Sequence, residues 1–215
     1  MKVLGLDTST SRVTVALVDG DSVISELSGG ELNGPQFHGE LLASLIKECL
    51  GSHHPDLIAV GRGPGPYTGL RVGIVTATVL AATWGLEVIG VPTLAAIAAG
   101  HRRRGGGDCT AVLDVKRREI AWQSFNADGD ELSGASLLHI DNIADLPDLP
   151  LVGPAFETQK LVSPHVADNA PVSAIDIAQL ALDYKGSGLD VGPHPIYLRE
   201  PDAAEPKANK SVLNG

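Results

Sequence analysis

Residues 61 to 73, Gly-Arg-Gly-Pro-Gly-Pro-Tyr-Thr-Gly-Leu-Arg-Val-Gly, restrict the fold more than any other stretch. Their glycines free the backbone for positive φ and for close approach, while Pro64 and Pro66 fix the direction of the turn. The strand-like Leu57 to Val60 leads in and the apolar run Val72 to Leu86 leads out, so this is a shaped loop between a buried strand and a buried helix. Gly63, Gly65 and Gly69 are read as its structural turn. It is not a phosphate loop, because Leu70 follows Gly69 where a lysine and a hydroxyl residue are required, and Thr68 breaks the dinucleotide pattern. Backbone N–H groups at the helix start, with Arg71, offer an anion site; a purely structural strand-to-helix turn accounts for the same residues, and both readings stand.

Around this loop the pattern alternates. Lys2 to Asp7, Arg12 to Val18 and Ser22 to Leu27 read as three strands, the last two joined by an Asp-Gly turn. Phe37, Leu41, Leu45 and Cys49 recur every fourth residue and mark a helix ending at Gly51. A strand at Leu57 to Val60, a helix from Thr68 to Trp84, a strand at Val88 to Val91 and an Ala-rich helix capped by Thr93 complete a first lobe, βββαβαβα, over residues 1–100. His101 to Asp108 reads as an exposed connector. Strands at Thr110 to Asp114 and Glu119 to Phe125, a turn from Asn126 to Glu131 into a third strand and a short strand at Leu151 follow. Helices at Ala155 to Val162 and Asp176 to Tyr184 then make residues 101–200 a shorter version of the first lobe. Residues 201–215 read as a loose tail. The class is α/β, with two related lobes.

The formal net charge of -10 disfavours a broad non-specific nucleic-acid face and leaves room for a local basic one. Cys49 and Cys109 lie far apart in apolar settings and read as buried thiols. There is no signal-peptide pattern, and the run Val72 to Leu86 falls short of the roughly 20 residues that span a bilayer, so a cytoplasmic protein without membrane contact is expected.

Asp7-Thr8-Ser9-Thr10 sits between the first two strands. A carboxylate and hydroxyls in a tight turn suit a hydrated Mg²⁺ and phosphate oxygens, and equally suit local turn hydrogen bonding. Asp7, Thr8, Ser9, Thr10 and Arg71 are the candidate nucleotide or anion residues. The matching turn of the second lobe, Asp114-Val115-Lys116-Arg117-Arg118, carries bulky side chains where a phosphate clamp needs glycine, so an ATP clamp is not expected. Lys116 to Arg118 and Arg102 to Arg104 read as solvated loop charge, with a local site for an anionic partner or tRNA as the alternative. No G-x-S-x-G elbow is present, and no catalytic residue is assigned.

The start M-K-V-L-G-L-D-T-S-T, the block G-R-G-P-G-P-Y-T-G-L-R-V-G and the ending P-I-Y-L-R resemble the TsaB (YeaZ) family of the bacterial tRNA threonylcarbamoyladenosine machinery, over nearly the whole chain. Pro66 and Tyr67 stand where that family more often has Ser and Phe, which removes a hydroxyl at 66 and leaves the turn. The resemblance implies an actin, Hsp70 and sugar-kinase type of fold. It also implies an assembly or activating subunit, not an enzyme by itself, that pairs with the catalytic TsaD subunit for threonylcarbamoyl transfer to adenosine 37 of tRNA. A TsaE-type ATPase is the other implied partner, with pairing to itself when alone and contact with tRNA only through the complex. No intrinsic cofactor is implied, and a nucleotide with Mg²⁺ at or near the subunit junction stays open. Catalytic relatives hold a metal with a His-x-x-x-His pair; no two of the seven histidines here are four apart, so no metal site is expected. A small-molecule kinase or ATPase of the same fold is the alternative, and a glycoprotease-like peptidase the weaker one.

The helix from Leu70 to Trp84 is apolar around its axis, and Gly73, Ala77 and Ala81 form a line of small residues. With Phe37, Leu41 and Leu45 of the preceding helix, the residues Leu70, Gly73, Ile74, Ala77 and Ala81 are the expected partner interface. The 61–73 turn then serves chiefly as the rigid lead-in that aims this helix.

Overall fold

Residues 1–30, 38–155, 166–187 and 191–199 are described by the structure, a computed structural model. Strands β1 (Lys2–Asp7), β2 (Val13–Asp19) and β3 (Ser22–Gly29) form an antiparallel meander, and β4 (Leu57–Gly61) and β5 (Glu87–Val91) extend it in parallel, giving the order β3-β2-β1-β4-β5. Helices α1 (His38–Leu50), α2 (Tyr67–Trp84) and α3 (Thr93–Arg103) alternate with them in the order read from the sequence. The second sheet repeats the plan. Strands β6 (Cys109–Asp114), β7 (Glu119–Phe125) and β8 (Ser136–His139) are antiparallel, β9 (Leu151–Val152) and β10 (Val166–Asp168) are parallel additions, and the order is β10-β9-β6-β7-β8. Helix α4 (Ala174–Tyr184) follows β10 as α3 follows β5.

The layers explain the hydropathy. Leu4 and Leu6 of β1 face α1 and α2 with Leu42, Ile46, Leu70 and Ala77, while Val3 faces the opposite core with Leu94, Ile97, Ile177 and Ala181 of α3 and α4. A strand covered on both sides reads as a continuous apolar run, as β1 and β4 do. Helices α3 and α4 lie between the sheets, α4 on β1 and β2 and α3 on β6, so each half contributes to the other's core. Gly5 lets α4 approach β1, since a Cβ there would stand 2.3 Å from the carbonyl oxygen of Ala174. Arg103 Nε and Nη2 donate at 2.9 and 3.2 Å to Asp176, an almost wholly buried carboxylate, and so tie α3 to α4.

Two expectations are corrected. His101, Arg102 and Arg103 form the last turn of α3 and not an exposed connector, because Arg103 pairs with Asp176 and Arg104 with Asp168. Thr93 lies inside α3, whose cap position is Pro92 with no side-chain cap; its hydroxyl turns toward β1 instead. Phe37, the expected helix beyond Ala155 and the 201–215 tail lie outside the described residues. Both cysteines are buried, and burial pushes the Cys109 thiol up to about 11. Among the described residues no helix is long and apolar enough to cross a membrane.

Gly5→Ala forces a side chain into a backbone carbonyl and is expected to lower unfolding free energy by about 1–3 kcal/mol. Gly39→Ala, at an exposed position of α1 with open space around it, should raise it by about 0.4–1 kcal/mol. Paired denaturant melts check the opposite signs.

Candidate functional site

The first sheet's strand ends converge beneath the 61–73 loop. Asp7 closes β1 and is wholly buried; its Oδ1 accepts from Ser9 N at 2.7 Å and its Oδ2 from Ser9 Oγ at 3.1 Å and Thr93 Oγ1 at 2.9 Å. Thr93 Oγ1 also accepts from Gly63 N at 3.2 Å, and Thr93 N donates to Gly63 O at 2.8 Å. Thr8 Oγ1 donates to Gly69 O at 2.7 Å and accepts from Gly73 N at 3.0 Å. The Asp7–Ser9 turn thus bonds to the loop, to the first turns of α2 and to the start of α3. Burial pushes the Asp7 carboxyl above its ordinary range, against the lowering effect of the Ser9 and Thr93 hydrogen bonds.

This arrangement accounts for the glycines. A Cβ at Gly61 would stand 1.7 Å from Asp7 Oδ2, and one at Gly73 2.3 Å from Thr8 Oγ1. Gly63 has φ 84°, a left-handed value that favours glycine. Gly69, expected in the turn, is helical, because α2 begins at Tyr67.

The candidate anion residues do not meet in one place. Asp7, Thr8 and Ser9 are buried and engaged with one another and with the loop, Thr10 Oγ1 bonds with both the N–H and the carbonyl of Arg12, and Arg71 is exposed. Arg71 Nε donates to Tyr197 Oη at 3.0 Å, and its guanidinium lies 3.8 Å from the centre of the Tyr67 ring, which stacks on Tyr197 at 5.5 Å. These three residues, with Arg117 and Arg199, edge a cleft of about 360 Å³ whose walls include Pro64, Val115 and Leu137. Sequence reasoning missed Thr93, Tyr67 and Tyr197; the last two sit in the quoted G-P-Y-T-G and P-I-Y-L-R segments, which was the available signal.

At the matching turn of the second sheet, Lys116 N donates to Asp114 Oδ1 at 2.7 Å, the same local bond that Ser9 makes to Asp7, and Lys116 Nζ lies 3.2 Å from Asp114 Oδ2. Lys116, Arg117 and Arg118 all have left-handed φ, at 68°, 59° and 60°. Between the two turns only about 30 Å³ of space remains, lined by Thr10, Ser11, Arg12, Asp114 and Lys116.

The expected interface is corrected in its residues. Leu45, Leu70, Gly73, Ile74, Ala77 and Ala81 are buried against the first sheet, and Leu41 packs on Gly29 and Gly30. The small residues of α2 seat it on β1 and β4, whose neighbours leave no room for larger side chains. The exposed row of α2 is one position away: Tyr67 (54% exposed), Arg71, Val75 (60%) and Val79 (56%), spaced every fourth residue, with Trp84 beyond.

Residues 36–195 match the family model described as TsaD: tRNA N6-adenosine threonylcarbamoyltransferase. The tRNA threonylcarbamoyladenosine biosynthesis protein TsaB of Escherichia coli is 34% identical over 60% of this chain and 56% of its own length. YeaZ from Pseudomonas aeruginosa superposes with a TM-score of 0.73 over 92% of this chain and 99% of that one, at 25% identity. The chain belongs to the TsaB (YeaZ) family. An uncharacterised Mycobacterium tuberculosis protein, 31% identical over 94% of this chain and 93% of its own, extends the likeness to nearly full length. In this TsaB-family chain the long glycine motif therefore packs over a buried carboxyl group, and among the described residues the outer row of α2 and the arginine cleft beside it are exposed.

Because the folded state raises the Asp7 pKa, the proton is held more tightly in the folded than in the unfolded chain. Its stabilising contribution is complete below about pH 4 and is lost as pH rises through the folded value. The unfolding free energy of wild type minus that of Asp7→Asn should therefore fall from pH 4 upward and then level off. Denaturant melts across pH 4–8 measure this, and a pH-independent difference contradicts it.

Proposed function

We propose that this chain is an assembly subunit that pairs with a TsaD-type threonylcarbamoyltransferase and is needed for modification of adenosine 37 of tRNA, without carrying the reaction itself. The observation that carries this reading is the combination of family membership with an exposed apolar row, Val75 and Val79, on a helix whose other side is fixed in the core. An apolar stripe of this kind flanked by Tyr67, Arg71 and Trp84 has the composition of a protein interface core. The α1–α2 pair of this chain is inferred to meet the equivalent pair of the TsaD-type subunit, or of a second copy when alone.

We read the two sheets as the two lobes of an actin-like fold, supported by their identical strand order. The hydrogen-bonding groups of Asp7, Thr8 and Ser9 are directed into the protein, which favours a structural role over phosphate binding for this turn. A nucleotide with Mg²⁺ then belongs at the subunit junction, since about 30 Å³ between the turns is far below the roughly 300 Å³ of a small-molecule site. A TsaE-type ATPase is the second partner in this reading, and the compartment is the cytoplasm. No observation favours the kinase alternative.

Two measurements test the proposal. Threonylcarbamoyl transfer reconstituted from the other components should depend on this chain; equal rates without it would sink the assignment. Val75→Glu with Val79→Glu should reduce co-purification with the TsaD-type subunit at least about 100-fold, as expected for charges buried in an interface core, with circular dichroism unchanged. Ala77→Glu is not a usable probe, because Ala77 is wholly buried and the variant would unfold the chain.

A further inference from the structure

The cleft beside α2 shares Tyr67 and Arg71 with the pairing row and extends past it to Arg117, Tyr197 and Arg199, which the pairing reading leaves without a role. Its described lining residues include Arg71, Arg117 and Arg199; Glu119 just outside the lining neutralises Arg199, so Arg71 and Arg117 carry the positive charge, in a chain whose net charge is -10. Convergence of arginines on one cleft against that overall charge makes a local positive site. Arg199 is held by an ion pair to Glu119, and Arg71 by Tyr197 and the Tyr67 ring. Both are therefore set in place before any ligand arrives.

Arg117 reaches the cleft from the β6–β7 turn, in which three consecutive side-chain-bearing residues hold left-handed φ. Left-handed backbone is strained for any residue with a side chain, and a turn of Lys-Arg-Arg where glycine would be free of strain asks for a reason. Arg118 is anchored by Asp141 and Lys116 by Asp114, which fixes the turn on both sides of Arg117. The cleft also presents Tyr67 and Tyr197, 54% and 44% exposed, as a stacked aromatic pair. Arginines for phosphate oxygens beside exposed aromatic rings for a base are the two components of single-stranded nucleic-acid recognition. A volume of about 360 Å³ with apolar walls is of the size that takes one nucleotide.

We propose that this cleft binds one nucleotide unit of single-stranded RNA, so that the chain contacts tRNA directly through Arg71, Arg117 and Arg199 with the Tyr67–Tyr197 pair. The inference rests on the reading of this chain as a subunit of a tRNA-modifying complex, and extends it from contact through the complex to contact by the chain itself. The phosphate ester recognised here has two sources, a tRNA backbone and a free mononucleotide, and the proposal commits to the first.

The test uses the full chain, alone and with the TsaD-type subunit, titrated with an unmodified tRNA and separately with adenosine 5′-monophosphate at several salt concentrations. Arg117→Gly keeps the left-handed backbone and removes the whole side chain with its guanidinium; Arg71→Gln is the second variant, from a different element. Each should weaken tRNA binding about tenfold and lower the slope of log affinity against log salt by about 0.7. Unchanged affinity and slope in both variants would overturn the proposal, as would no tRNA binding by the chain or the complex. Monophosphate binding that Arg117→Gly abolishes while tRNA binding stays constant would also overturn it, assigning the cleft to a free nucleotide. Co-purification with the TsaD-type subunit is scored in the same samples. A chain that binds tRNA through the cleft yet fails to pair sinks the subunit reading and leaves this one standing.

Discussion

The buried carboxyl group of Asp7 is the junction on which the first half of the molecule depends. It receives hydrogen bonds from its own turn and from Thr93 at the head of α3, while Thr8 next to it grips the first turns of α2. A carboxyl group taken out of water is costly unless each lone pair is engaged, so the surroundings must approach closely from several directions. Gly61 and Gly73 are small because they border this turn, and Gly63 is left-handed because its N–H must reach Thr93. The direction of α2, and with it the exposed row Tyr67–Arg71–Val75–Val79, follows from the same set of bonds.

The second half reuses the plan under different pressure. Strand order, strand direction and the Asp turn at the end of the first strand are the same in both sheets. What differs is the chemistry around the turn. In the first half glycines let the loop collapse onto Asp7; in the second, Lys116 to Arg118 hold side chains outward from a strained hairpin. The two turns face each other across a space too small for a ligand, and the accessible volume has moved to the cleft edged by Arg71, Arg117 and Arg199.

The halves are not independent bodies. Helices α3 and α4 share one core between the sheets, and Arg103 with Asp176 bridges them. A loss of packing on either sheet is therefore felt by both. The outer helices α1 and α2 are covered on one side only, which leaves the outer row of α2 as an exposed apolar row among the described residues.

Much of the fold was legible in the residues. Periodicity located β1 to β7, α1, α2 and α4 within a residue or two and missed only the last turn of α3, because strands buried on both faces and helices with wide apolar stripes leave strong patterns. The family could be read from three motifs, and the comparisons bear it out. Sequence alone also marked Asp7 and the 61–73 loop as belonging to something specific. It could not assign the sides of α2: with apolar residues all round the axis, only contact with β1, β4 and Thr8 decides that Gly73, Ala77 and Ala81 face inward and Val75 and Val79 outward. Nor could it bring Thr93 to Asp7, or Arg117 and Tyr197 to Arg71, since those residues are remote in the chain and meet only when the two sheets are stacked. Local pattern determined the elements; long-range packing decided which of their faces carry function.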